Sequence, residues 1–295
     1  MEQSNFAWEP GGYVLFTPED DSLYGVREFN HTGIEICQTL TECHNYAVYR
    51  GIELGFEVIA TCLVGSQNYC LETRDSDYDT ISVVLPTWEH HMVCGDKMTH
   101  TYTFEDGLTT TCSYKDFLAN VRKLSHISLE PLFTEWSIVN PKFSSLWNIL
   151  RDNRVQILYS DQRKFFNSAF GYGHSMMKKA FDPNRPAYNA DLGYDPKAVS
   201  HWIRNLTMIQ LYNAKFDNIY HTNLEKWLCR VKSGEKMSLA RSLFDMFNDL
   251  YLLWENHIKE QTYTVDKDVE ELYKEWLMEC GRKMVEGYNG EDIDT

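Results

Sequence analysis

Asp77 and Asp79 stand two residues apart, shortly after a Gly65-Ser66 pair at the end of an apolar run, and these residue types point to phosphate chemistry on a divalent cation. A glycine lets a phosphate chain approach the backbone without a Cβ in the way. A serine opening the next turn adds a hydroxyl beside N–H groups that favour anions. On an extended segment, residues i and i+2 project from the same face, so Asp77 and Asp79 present two hard oxygen ligands together. Such a pair suits Mg²⁺, which keeps most of its waters and takes its remaining oxygens from substrate phosphates. Asp75 has the same parity, and the alternative for the whole run is a solvated turn or a helix cap. A second constellation lies further on. Asp195 followed by Pro196 is an N-cap with proline at the first helical position, and Lys197, His201 and Arg204 then recur at i, i+4 and i+7. That spacing puts three phosphate or base contacts on one helix face. It equally describes an ordinary solvated face with His201 turned into the core.

The elements that must position these groups follow from periodicity. Residues 35–54 carry an apolar stripe at Ile36, Leu40, Cys43, Ala47 and Leu54 and predict a helix ending near Gly55. Residues 56–64 (FEVIATCLV) read as a buried strand, and residues 80–85 (TISVVL), stopped by Pro86, as a second. Residues 99–104 and 108–112 flank Glu105-Asp106-Gly107 and predict a hairpin closed by an Asp-Gly turn. Residues 113–124 predict an amphipathic helix with Phe117, Val121 and Leu124 on one face. Beyond about residue 136 the strand signals stop and the pattern is helical. Trp227, Phe244, Phe247, Tyr251, Trp254, Tyr273 and Trp276 are expected to form a bundle core, and the tail from Gly287 to fray. The expected fold class is α+β: a small mixed sheet, residues 1–140, followed by an all-helical domain, residues 141–295, with the boundary near Asn140-Pro141.

At this level of detail the sequence resembles a family. GSQNYCLETRDSDYD is similar to the active-site signature of the nucleotidyltransferases related to DNA polymerase beta. More specifically, it resembles the stand-alone bacterial and phage-encoded members, whose typical form is GSRA-x-GL-x-T-x-DSD-x-D. SYKDFLANVRKLSHISLEPLF resembles that group's helix followed by an Asn-Pro and Leu-Glu-Leu-Leu segment. LGYDPKAVSHWIRNL resembles its Gly-Tyr-Asp-x-Lys-x-Ala-x-His-x-x-Arg helix, and GYGH with Lys178-Lys179 its Gly-Tyr segment followed by basic residues. The resemblance implies a palm-like sheet domain and transfer of a nucleoside monophosphate from an NTP such as ATP to an acceptor hydroxyl, with pyrophosphate leaving. It implies that Gly65 and Ser66 hold the β- and γ-phosphates. It implies that Asp77 and Asp79 hold two Mg²⁺ ions, or Mn²⁺ in their place. Tyr172 would stack on a base or pack in the core. Lys178, Lys179, Lys197, His201 and Arg204 would contact the nucleotide.

The chain departs from the family pattern at the third carboxylate, whose aligned position falls on Leu108. Asp106, two residues earlier with the same strand parity, is the candidate to replace it, although it is also placed to form the Asp-Gly turn. Glu130 is a further candidate. The usual Arg after Gly-Ser is Gln67, and the usual Gly-Leu is Cys70-Leu71. These changes leave open a weakened enzyme or a nucleotide-binding sensor that kept the cleft.

Charge gives the wider setting. The 295 residues carry 28 Lys plus Arg against 43 Asp plus Glu, a net charge of −15. The distribution is uneven: −14 over residues 1–141, +8 over 142–241 and −9 over 242–295. The total speaks against long duplex DNA, whose affinity comes mainly from Lys and Arg replacing counterions. The basic middle fits a small nucleotide or a short RNA end in a cleft between the two domains. The acceptor is an RNA end, a protein or a small molecule, and the sequence does not choose among them. No window reaches the length of a membrane span and no signal peptide is evident. The eight cysteines, with no CxxC pair, read as reduced thiols in a cytoplasmic protein. His90, His91 and Cys94 offer half of a zinc site with no complementary spacing elsewhere.

Overall fold

The computed structural model describes residues 33–73, 76–95, 100–103, 107–221, 224–235 and 266–291, with residues 249, 252 and 256 alone among the rest. Helix α1, Gly33–Leu54, opens this region. Its stripe of Ile36, Leu40, Cys43 and Ala47 is at most 4% exposed, which is the periodicity of the sequence turned into packing. Gly55 ends the helix at φ +72, and a Cβ there would lie 3.0 Å from the His90 Cβ, so glycine is required twice over. Strand β1, Phe56–Val64, follows at once, then β2, Tyr78–Pro86. Helix α2, Trp88–Cys94, is capped by the Thr87 hydroxyl, which accepts from the His90 N–H. The hairpin of β3, His100–Thr103, and β4, Gly107–Ser113, pairs as expected, with Thr103 opposite Leu108.

The sheet is mixed, in the order β3-β4-β2-β1-β5. β1 and β2 run antiparallel, whereas β2 and β4 run parallel through the crossover that contains α2 and β3. The fifth strand, Ser137–Val139, is too short to leave a periodic signal and was not expected from the sequence. It completes the sheet by pairing Ile138 with Thr61. Beneath α1, a row of hydroxyls crosses the sheet. Thr61 Oγ1 lies 2.9 Å from Ser82 Oγ and 3.0 Å from His44 Nδ1, and Ser82 Oγ lies 3.5 Å from Thr109 Oγ1. Burial holds the His44 imidazole below its ordinary pKa, so the neutral ring faces this row.

Two helices follow β4 directly. Ser113 caps α3, Tyr114–Val121, and Ser125 caps α4, His126–Phe133. Asn140 then caps a 3₁₀ turn, Pro141–Phe143, that enters α5, Ser144–Arg151, followed by α6, Arg154–Tyr159. Helix α7 spans Gln162–Ala180 and α8 Pro196–Asn213. Helix α9 is Glu225–Lys232 and the last described helix, α10, is Lys267–Glu291.

The architecture is α+β, and β5, the last strand of the sheet, ends at Val139, just before residue 140. The compact units are drawn differently from a single cut there. Among the described residues one unit comprises 33–165 and 266–291, and the other 166–235 with residues 249, 252 and 256. Aromatic packing supplies the reason. Trp276 of α10 is fully buried, with its ring 6.2 Å from those of Tyr114 and Phe117, and Phe117 stacks at 5.7 Å on Trp147 of α5. Contacts of this kind contribute about 0.5–1.5 kcal/mol each beyond the area they bury. Tyr273 and Trp276 therefore belong to the unit that holds the sheet, which corrects the expectation that they share a bundle core with Trp227. Phe244, Phe247, Tyr251 and Trp254 lie outside the described residues. Helix α10 continues to Glu291, four residues past the glycine where fraying was expected. Among the described residues no helix is long and apolar enough to cross a membrane.

Candidate functional site

The loop between β1 and β2 carries the Gly65-Ser66 and Asp77/Asp79 pairs. Gly65 leaves β1 at φ +77, and an added Cβ would meet Asp79 Oδ2 at 2.9 Å. Glycine is thus needed for its backbone conformation and for the close approach of a carboxylate. Asp79 sits in β2 as the register partner of Val64, which explains the approach: the two ends of an antiparallel pair bring position 65 over position 79. Asp79 is half-buried and Asp77 is exposed. The segment before them is tied down by Ser76, whose hydroxyl accepts from the Thr73 N–H at 2.8 Å. Its carbonyl accepts from Gln67 Nε2 at 3.4 Å. Gln67 is therefore a fully buried link from the first half of the loop to the second. Asp75 lies outside the described residues.

Residues 67–72 are all at most 5% exposed, so this loop is packed like core. Cys70 adopts φ +55, a left-handed conformation that costs a non-glycine residue about 1–2 kcal/mol. Glu130, on α4, is 3% exposed beneath the loop. Its Oε1 accepts the Gly65 N–H at 2.7 Å and Asn68 Nδ2 at 3.1 Å, and its Oε2 accepts a short bond from the Tyr69 hydroxyl. A carboxylate that receives three donors is firmly held. The N–H of Gly65, one of the two residues that the resemblance assigns to phosphate, is occupied by this carboxylate. Close by on β1, burial pushes the Cys62 thiol up to about 12, with the Arg151 guanidinium opposing the rise and the Glu130 carboxylate adding to it. That thiol stays protonated and is not a nucleophile at neutral pH.

Parallel pairing of β2 with β4 puts Leu108 in register with Asp79. Register partners in a parallel pair share a face of the sheet, so position 108 is where a third carboxylate would meet Asp79. Asp106, the candidate to replace it, lies outside the described residues. His90, His91 and Cys94 fall on α2. Among the described residues no three His, Cys, Asp or Glu side chains are gathered as a metal cluster.

The second constellation lies in the other unit. Asp195 caps α8, its Oδ1 accepting the Ala198 N–H at 3.1 Å, with Arg185 Nε 3.6 Å from its other oxygen. Asn205 Nδ2 donates to the Ala169 carbonyl at 2.9 Å and ties α8 to α7. Along α8 the basic row is graded: Lys197 is exposed, His201 half-buried and Arg204 4% exposed. The structure brings two of the candidates together, since the Tyr172 hydroxyl on α7 lies 3.4 Å from His201 Nδ1. Lys178 and Lys179 are exposed in the last turn of α7, where cations complement the helix dipole. Sequence reasoning missed Asn68 and Tyr69 as partners of Glu130, because a contact between residues over sixty positions apart leaves no local signal.

Compared with models of known protein families the sequence matches none, and no curated protein matches it either.

Proposed function

We propose that this chain is a Mg²⁺-dependent nucleotidyltransferase that moves a nucleoside monophosphate from an NTP to an acceptor hydroxyl. The observation that carries the reading is the approach of Gly65 to Asp79: the glycine just after β1 lies against a carboxylate near the start of β2, with no room for a Cβ between them. Asp77 and Asp79 are hard oxygen donors at the mouth of a firmly packed loop, a donor set that fits Mg²⁺ or Mn²⁺. A cation held there supplies Lewis-acid stabilisation of charge on the α-phosphate and on the leaving pyrophosphate. The chain's own residues hold and orient. Ser66 offers its hydroxyl to phosphate, while Gly65 and Gln67 fix the loop that carries it. The acceptor oxygen bonds to the α-phosphorus as the α–β phosphoanhydride breaks. The hydroxyl proton leaves for a base, for which Asp106 is the candidate.

A second reading, a nucleotide-binding sensor with little or no turnover, is favoured by one observation: Leu108 occupies the register position beside Asp79. Incubating the full chain with each labelled NTP, Mg²⁺ and a cell extract separates the two. Pyrophosphate release with a labelled acceptor, lost in Asp77→Asn and Asp79→Asn, supports the enzyme. Saturable binding without turnover supports the sensor, and transfer undiminished in both variants removes the assignment. The acceptor class, whether an RNA end, a protein or a small molecule, is read from the labelled product. A reduced, cytoplasmic setting is part of the proposal and is supported by eight cysteines of which none is in a disulfide.

A further inference from the structure

We infer that Glu130 is a positioning residue, which acts on the Asp79 carboxylate through Gly65 and sets the affinity of the Asp77/Asp79 pair for a divalent cation. The inference rests on the cation reading above and extends it to a residue on a different element. Three observations form the chain. Glu130 is 3% exposed and accepts from the Gly65 N–H, Asn68 Nδ2 and the Tyr69 hydroxyl, so α4 fixes the path of the loop. Gly65 in turn abuts Asp79, with its ideal Cβ position 2.9 Å from Oδ2. Asp79 is held in place by strand pairing on both sides, with Val64 and with Leu108. Displacement of Gly65 therefore alters the space around Oδ2 and leaves the backbone of β2 unchanged.

The arrangement also separates two jobs that a carboxylate here could perform. Both Glu130 oxygens are engaged by loop donors, so it is used in holding the Gly65 amide and the Asn68 and Tyr69 side chains. Outer groups that orient a metal's ligands typically change metal affinity by about 10- to 100-fold when removed. Glu130 acts one step further out, through a backbone amide.

The test uses the full chain and two readouts that need no turnover: Mn²⁺ titration followed by electron paramagnetic resonance, and hydrogen exchange of the Gly65–Leu71 amides. Glu130→Ala is expected to weaken Mn²⁺ by about tenfold or more. It is expected to speed exchange at Gly65 at least about tenfold, the scale of a lost hydrogen bond to a charged group. Glu130→Gln keeps an acceptor for the Gly65 N–H and is expected to restore Mn²⁺ affinity to within about threefold. Where Glu130→Ala fails to fold, Tyr69→Phe removes one of the three donors at nearly constant volume and is expected to speed loop exchange by about threefold. Unchanged exchange at Gly65 in a folded Glu130→Ala, or in Tyr69→Phe where that variant replaces it, overturns the inference, as does unchanged Mn²⁺ affinity in a variant whose loop has loosened. Asp79→Asn is the control for the parent reading. Equal Mn²⁺ binding by wild type and Asp79→Asn overturns the cation site itself, while the exchange data still decide whether Glu130 holds the loop.

Discussion

The loop that carries Gly65 and the helix face that carries Lys197 are both rich in chemistry-bearing residues, yet they are built in opposite ways. Around Gly65 the backbone is the working part. Residues 67–72 are buried, a left-handed Cys70 is accommodated, and hydrogen bonds from the Gly65 and Thr73 amides to Glu130 and Ser76 fix the path. Along α8 the backbone is an ordinary capped helix and the side chains differ among themselves, from exposed Lys197 to buried Arg204. A preorganised loop holds groups for a reaction at little further entropic cost, whereas a graded face combines solvated contacts with core packing. Substitutions in the loop should therefore change function and stability together. Those on α8 should separate the two.

The largest expected effects test whether the loop is a reaction site. Asp79→Asn should reduce labelled-nucleotide transfer by about a thousandfold, on the scale of losing a preorganised electrostatic group, with circular dichroism unchanged. Leu108→Asp should raise transfer by about a hundredfold if the register position beside Asp79 lacks only a base, since positioned general bases contribute that much. No gain in a folded Leu108→Asp variant would break the link between register and chemistry. Next comes Gly65→Ala, which meets both a positive φ and Asp79 Oδ2 and should cost about 2–3 kcal/mol of stability, read as a lower midpoint in thermal unfolding. On α8 the contrast should appear within one row: Arg204→Ala should cost about 1–2 kcal/mol, whereas Lys197→Ala should stay within about 0.5 kcal/mol. Equal costs in urea titrations would mean that the row is a single class after all. The smallest effect expected is a gain. Cys70→Gly should stabilise the chain by about 0.5–1 kcal/mol, because relief of the left-handed strain exceeds the extra unfolded-state entropy of glycine.

Much of the fold was legible because it depends on local pattern. The stripe from Ile36 to Ala47, the run from Phe56 to Val64, the Asp195-Pro196 cap and the hairpin across residues 100–113 all carry their structure in nearby residues. Strand β5 was not legible, since three residues cannot express a period and Ser137–Val139 is a strand only because β1 offers it an edge. The placement of α10 was hidden for a related reason. Trp276 reads as apolar in any helix, and only the rings of Tyr114 and Phe117 decide which core it joins. Within the candidate site, the sequence supplied Gly65, Ser66, Asp77 and Asp79 by type and spacing. It could not show that the Gly65 amide already has a carboxylate partner, because Glu130 is distant in the chain and its candidacy as a third carboxylate came from alignment alone. The Lys197, His201 and Arg204 row was legible as a face, but its gradient of burial comes from packing in the helical unit.

The hydroxyl row beneath α1 bears on how the sheet finds its alignment. Aliphatic contacts tolerate a strand that slides, since one branched residue substitutes passably for another. Thr61 and Ser82, which stand opposite each other, do not, because their buried hydroxyls bond to one another, Thr61 also meets the neutral ring of His44, and Ser82 reaches Thr109 diagonally on the next strand. A slip of β2 by one residue would present Ile81 or Val83 where Ser82 stands and strand several polar atoms at once. The row thus favours the pairing in which Val64 meets Asp79, the same pairing that brings Gly65 against that carboxylate.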